Sequence, residues 1–225
     1  MGEQKKILTE AMLRALCLPR GAPLPVPEGT ALTPLAREYA REQGLAISVS
    51  MPESANGGEK PEHMTHLCEG VLVPKTHPRI RLRGKLDSLE ALLLQTRLLA
   101  REESRPDTER ALGEVFDLAQ CILAAEVKGD PLGPFTLLGL DSAALRAASH
   151  DPKGYAGLDA HPIPDIDSGR LRLALNFLRT QVRETELAAA QALCPPDGSV
   201  ERPDLLEALN RMSSAVHLLF MKETP

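Results

Sequence analysis

From Leu86 onward, apolar residues recur at three- and four-residue spacing over about 86–104, 107–128, 141–149, 168–194 and 203–222. This is the period of amphipathic helices. Within 168–194 one stripe holds Leu171, Leu175, Leu178, Val182 and Ala189. Asp141 and Ser168 are candidate N-caps, and Pro203 sits where a first helical turn tolerates proline. Helices of these lengths pack as an antiparallel bundle. The longest irregular insertion, 129–167, contains Gly129-Asp130-Pro131-Leu132-Gly133-Pro134 and His161-Pro162-Ile163-Pro164-Asp165. An insertion of that length in a compact domain is a candidate site wall or lid.

The first fifty residues read differently. A short helix is predicted over 8–17, and four prolines between Pro19 and Pro27 prevent its continuation. Thr33-Pro34 predicts the start of a second helix running to about Gly44, followed by a short strand at Ala46–Val49. Pro52, Asn56-Gly57-Gly58 and Pro61 read as linker. The expected organisation is a small N-terminal helical appendage over 1–50, a linker over 51–75 and a helix bundle over 76–225.

Composition sharpens this to an all-α fold of about five helices. Leu and Ala dominate the 225 residues, while aromatics make up only 3%, which favours helix over a sheet-rich architecture. A chain this long buries enough surface to need no disulfide or metal staple. Its four cysteines, Cys17, Cys68, Cys121 and Cys194, include no Cys-x-x-Cys, which suits a reducing compartment. With 26 basic and 31 acidic residues the net charge is −5, which argues against a generic nucleic-acid binder. No apolar run approaches the ~20 residues of a membrane span, and Met1–Lys6 lacks an apolar signal region. Lys6 stands at the Ser/Thr position of a myristoylation signal, which fails the pattern. A cytoplasmic protein is expected.

Some polar residues sit where a bundle helix should be bland. Arg172, Asn176, Arg179, Arg183 and Glu186 share a second stripe of helix 168–194. They suit either a solvated charged face or a site where arginine forks and a carboxylate hold a polyphosphate and its nucleoside. Helix 203–222 carries Asn210, Ser214 and His217 along one flank, either exposed or part of a hydrogen-bonded network. Lys75, His77, Arg79, Arg81, Arg83 and Lys85 precede Asp87, as a solvated linker or as phosphate ligands. His63-x-x-His66-x-Cys68, with His77 beyond, offers ligand types for zinc or iron, but its spacing matches no standard structural zinc pattern. No phosphate loop, dinucleotide fingerprint or nucleophile elbow is present.

Three ordered segments resemble the signatures of the cobalamin (corrinoid) adenosyltransferases, most closely the ethanolamine-utilisation type. Gly84-Lys85-Leu86-Asp87-Ser88-Leu89-Glu90 is similar to Gly-x-x-Asp-Glu-Leu-Asn. Arg179-Thr180-Gln181-Val182-Arg183-Glu184-Thr185-Glu186 is similar to Arg-Thr-x-x-Arg-Arg-x-Glu-Arg, and Leu209-Asn210-Arg211-Met212-Ser213-Ser214 to Leu-Asn-Arg-Leu-Ser-Asp. Further matches to the ethanolamine branch are Lys60–Leu67, Gly129–Gly133 and Arg202–Asn210, so the likeness spans almost the whole chain.

The resemblance implies a helical-bundle transferase, a homo-oligomer (trimer or dimer), that moves the 5′-deoxyadenosyl group of ATP to cob(I)alamin and yields adenosylcobalamin. It implies ATP-binding roles for Arg183, Glu186 and Asn210, the first two catalytic. Asp87 and Arg179 would form a site-ordering salt bridge, at a subunit interface in one arrangement. Mg2+ is expected with ATP. The implied setting is a B12-dependent lyase, dehydratase or reductase partner, in the cytoplasm or beside a bacterial microcompartment.

Three departures bear on the site. The Thr-Gly-Asp-x-Gly phosphate segment of the propanediol-type relatives is missing, so Lys75 and Arg83 are nominated as phosphate ligands. Glu184, Leu187 and Ser214 replace two Arg and an Asp. The His, eleven residues, Cys-Cys-x-x-Cys metal motif of some ethanolamine-type members is also lacking, so no Fe(II) or Zn(II) site is assigned. Phe135, Tyr155 and Phe177 are candidates for stripping cobalamin of its lower axial ligand. A non-catalytic corrinoid-delivery protein, or a docking protein acting through residues 1–50, is the alternative reading.

Overall fold

The computed structural model describes residues 7–16, 18, 20–27, 29–50, 60–68, 71–194 and 198–223. It comprises two compact units, Met1–His77 and Pro78–Pro225.

The N-terminal unit holds β1 (Ile7–Leu8), α1 (Glu10–Ala15), β2 (Pro23–Pro27), β3 (Ala31–Leu32), α2 (Pro34–Glu42), β4 (Ala46–Ser50), β5 (Met64–Cys68) and β6 (Val71–Pro74). Thr9 and Thr33 cap the two helices, accepting from Met12 N at 3.3 Å and Ala36 N at 3.2 Å. The proline-rich stretch forms a strand, paired in parallel with β4 from Pro23 opposite Ala46 to Pro27 opposite Ser50. Alternate residues of a strand point their N–H groups to the same edge. Prolines at 23, 25 and 27 therefore remove donors from one edge only, and a two-stranded pair needs only the other. Leu13, Leu24, Ala36 and Ala40 form the centre of this unit's own core. Where the sequence predicted linker over 51–75, β5 and β6 pair antiparallel, with an irregularity at His66/Cys68. The part of that linker over 51–59 lies outside the described residues, as does Cys17.

The C-terminal unit is built from α3 (Pro78–Glu102), α4 (Pro106–Lys128), α5 (Ser142–His150), α6 (Pro152–Ala156), a 3₁₀ turn at Ile166–Ser168, α7 (Arg170–Leu193) and α8 (Pro203–Lys222). The four long helices close a ring, with α3 packed on α4 and α7, and α8 on α7 and α4; α5 and α6 rest against α8. Leu82, Leu86, Leu89 and Leu93 of α3 meet Leu112 and Ile122 of α4, Leu175 and Leu178 of α7, and Leu209 and Met212 of α8 in one aliphatic core. Each such side chain contributes about 1.5–3 kcal/mol on burial. The chain is thus predominantly helical, with small strand pairs; among the described residues the bundle unit holds six α-helices where about five were expected, and the N-terminal unit holds two.

Two boundaries depart from the sequence pattern. α3 starts eight residues earlier than predicted, because the inward positions of its first turns are Arg79 and Arg83 with the lone fully buried Leu82 between them, too few apolar residues to show a helical stripe. Both guanidiniums reach the Glu126 carboxylate of α4, Arg79 Nε at 2.9 Å and Arg83 Nε at 2.5 Å, and Glu126 is only 3% exposed. Ser168, expected to cap α7, belongs instead to a capping box with Asp165 in the 3₁₀ turn, while Gly169 stands at the N-cap of α7.

The insertion 129–167 is organised rather than irregular. Asp141 caps α5, accepting from Ala144 N at 2.8 Å. Arg202 donates to the Ala125 and Asp130 carbonyls and forms a 2.7 Å ion pair with Asp204, which accepts from Leu132 N at 2.9 Å. The Arg202 hydrogen bond, with help from Leu132 N, holds the Asp204 carboxyl down to about 2.

Candidate functional site

The polar stripe of α7 faces α8. Leu171, Leu175, Leu178, Val182 and Ala189 are buried as their spacing requires, which turns Arg172, Asn176, Arg179, Arg183 and Glu186 to the rim of the α7/α8 pair. Arg183 is exposed and the other four are half-buried. The two helices run antiparallel, so Asn210 of α8 meets Glu186 and His217 lies toward Arg179. Asn210 Nδ2 donates to Glu186 Oε1 at 2.8 Å, and Asn210 Oδ1 accepts from Arg211 Nη2 at 2.5 Å. Three of the sequence-nominated groups, Arg183, Glu186 and Asn210, thus share one helix pair, with Glu186 and Asn210 in direct contact.

Cations dominate below that contact. Desolvation, then the neighbouring Arg183 charge, holds the Arg179 guanidinium below its ordinary value. Its Nε is buried with no hydrogen-bond acceptor, as are Arg172 Nε and Arg211 Nε. The Arg172 guanidinium lies 4.8 Å from the centre of the Phe220 ring, which stacks on His217. His217 is pushed down to about 4, first by burial and then by Arg179, His161 and His150. Its Nε2 lies 3.1 Å from His161 Nδ1. Ser149 of α5 donates to Ser214 Oγ at 3.3 Å, and Ser214 to the Asn210 carbonyl at 3.4 Å. His161 and His150 were missed as site residues by sequence reasoning; the one signal was that the 129–167 insertion was itself a candidate wall.

The remaining nominated residues lie elsewhere. Arg83 is held by Glu126 on the α3/α4 side of the bundle. Asp87 is exposed on α3, and among the described residues it has no ion-pair partner and forms no bridge to Arg179. Lys75 belongs to the N-terminal unit, 3.8 Å from Glu62. Of the aromatic candidates, Phe135 packs against the core and Tyr155 lies under Lys222, 4.7 Å from its ammonium. Phe177 is exposed and lines a shallow groove of about 290 Å³ between α3 and α7, with Leu92, Leu98 and Ala174. Among the described residues no three His, Cys, Asp or Glu side chains converge to hold a metal ion, and no helix is long and apolar enough to cross a membrane.

Chemically, the α7/α8 face offers guanidinium forks and an imidazole for oxyanions, beside an amide and a carboxylate suited to hydroxyl and ring-nitrogen edges. The family described as cobalamin adenosyltransferase matches residues 57–223, which include every residue of this face. The chain is 33% identical over 253 aligned positions to the corrinoid adenosyltransferase EutT of Escherichia coli (strain K12), covering 96% of this chain and 92% of that protein. Against the corrinoid adenosyltransferase EutT of Salmonella typhimurium (strain LT2), identity is 32%, covering 95% and 91%. No solved structure matches the chain significantly. With the match spanning most of the sequence and containing the α7/α8 face, the chain belongs to the cobalamin adenosyltransferase family.

Proposed function

We propose that the protein transfers the 5′-deoxyadenosyl group of ATP to cob(I)alamin, forming adenosylcobalamin for a B12-dependent enzyme of ethanolamine utilisation. The observation that carries this reading is the α7/α8 face. There the Asn210–Glu186 pair stands beside Arg183, whose exposed fork has no acidic partner among the described residues.

In this reading Arg183 grips phosphate oxygens in a bidentate manner, and Glu186 and Asn210 orient the nucleoside. The nucleophile is reduced cobalt, which attacks the C5′ carbon while the triphosphate leaves from it. The protein therefore needs no nucleophilic side chain of its own. Its residues hold C5′ in line with cobalt and stabilise charge growing on the departing phosphate. Glu186, whose Oε1 accepts from Asn210, would be the carboxylate at hand for Mg2+ bound with ATP, which would supply neutralising charge at the phosphate oxygens.

The active form we propose is a homo-oligomer. Asp87 is exposed and without an ion-pair partner among the described residues, Arg179 has a buried Nε without an acceptor, and Leu94, Leu98 and Phe177 expose apolar surface on α3 and α7. A second copy covering that surface brings its own Asp87 to Arg179 and completes the site. Arg183→Ala tests the reading: adenosylation falls at least tenfold while the fold is kept, and unchanged turnover would refute it.

A further inference from the structure

Among the buried titratable groups described in the C-terminal unit, His217 is one that has no role in the account above. It is 6% exposed, and its Nδ1 has no hydrogen-bond partner. Buried polar nitrogens are ordinarily satisfied. The charged and titratable groups facing it are Arg172 and Arg179 from α7, His150 from the end of α5, and His161 from the loop before α7; Arg183 and Glu186 stand further along α7, and Lys222 is held over Tyr155 beside α6. His217 is thus a buried imidazole beside two guanidiniums, Arg172 and Arg179, whose Nε groups meet no hydrogen-bond partner, a donor set suited to an oxyanion.

We propose that His217, covered by His161 and flanked by Arg179, is an oxyanion subsite that takes a phosphate of the nucleotide's triphosphate chain, with one proton drawn from solvent as the phosphate arrives and returned when it leaves. The proposal rests on the ATP reading and names a chain-specific phosphate ligand where the family's glycine-rich phosphate segment is missing. Burial first, and then the Arg179 charge, favour the neutral imidazole. A phosphate oxygen reverses that balance, because an adjacent anion favours the charged form. Arg179 has five donors, so a carboxylate on one edge of its fork leaves the other for the phosphate.

Sign and window follow. Anion binding raises the His217 value from about 4, so affinity rises as pH falls through the raised value and levels off below about 4. Phosphate groups titrate near pH 6 themselves, so the diagnostic quantity is the difference between wild type and variant.

The test is calorimetry of the full chain with inorganic tripolyphosphate and, separately, ATP and adenosine, at pH 6 and pH 8 in buffers of differing ionisation enthalpy. Wild type is expected to bind tripolyphosphate about tenfold more tightly at pH 6 than His217→Phe does, and to take up an additional proton on binding. Adenosine affinity is expected to be the same in both proteins. His161→Ala, at an exposed position, is expected to reduce the proton uptake and guards against a folding defect in His217→Phe. Equal tripolyphosphate affinity and equal proton uptake in wild type and variants, or no tripolyphosphate binding by wild type, would overturn the subsite. If wild type binds ATP but shows no variant-dependent proton uptake, the subsite alone fails. If it binds no ATP at all, the reading beneath it fails as well.

Discussion

Asn210 of α8 donates its amide to Glu186 of α7 across 2.8 Å, and accepts from its own neighbour Arg211 through the amide oxygen. One side chain thereby fixes the carboxylate of the facing helix at the rim of the groove. The contact is solvent-exposed, so its net worth to stability is about 0.5–1.5 kcal/mol. Its removal should therefore be felt in catalysis more than in folding. Asn210→Asp places a second carboxylate against Glu186 and is expected to raise the KM for ATP at least tenfold. Steady-state kinetics and a melting curve shifted by no more than a few degrees would check both halves.

Arg183 should separate charge from geometry. It is exposed and without an ion-pair partner among the described residues, so Arg183→Lys keeps the charge and the fold but loses the two-pronged donor set. The expected outcome is an unchanged melting temperature with kcat/KM for ATP reduced about tenfold, and a larger loss for Arg183→Ala.

Glu126 carries the opposite prediction. It is buried between Arg79 and Arg83, and removing one partner of a buried ion network costs about 3–5 kcal/mol. Glu126→Ala should lower the melting temperature by roughly 6–20 °C, taking about 2–4 °C per kcal/mol for a chain of this size. At a temperature where the variant is folded, ATP affinity should match wild type, because the triad lies on the α3/α4 side, away from the α7/α8 face.

Asp204 gives a pH signature. Its carboxyl is held at about 2 by Arg202 and by Leu132 N, a value depressed from that of the unfolded chain. The stability it supplies is therefore present above about pH 4 and lost as pH falls toward 2. Asp204→Asn should cost about 1.5–3 kcal/mol at pH 7, with the gap from wild type closing below pH 4. Denaturant midpoints at pH 7 and pH 3 measure it.

The helical bundle was legible because its inward faces are almost wholly aliphatic. Where they are not, the pattern misled: Arg79 and Arg83 face inward on α3 and hide eight residues of helix, since nothing near them in sequence announces Glu126, more than forty residues away. The proline strand was hidden for another reason. Proline reads locally as a breaker, and only its alternate spacing beside β4 makes it compatible with pairing. In the candidate site, the spacing of Arg179, Arg183 and Glu186 alone places them on one helical stripe. The His161–His217 contact joins a loop to a helix 56 positions apart, and no periodicity could have disclosed it.

The most direct measurement is strictly anaerobic conversion of chemically reduced cobalamin with ATP, followed by the absorbance change from cob(I)alamin to adenosylcobalamin. With Mg2+ supplied, turnover is expected in the wild type, unaltered by added Fe(II) or a transition-metal chelator, and lost in Arg183→Ala. Folded wild-type protein that binds corrinoid yet produces no adenosylcobalamin would contradict the account.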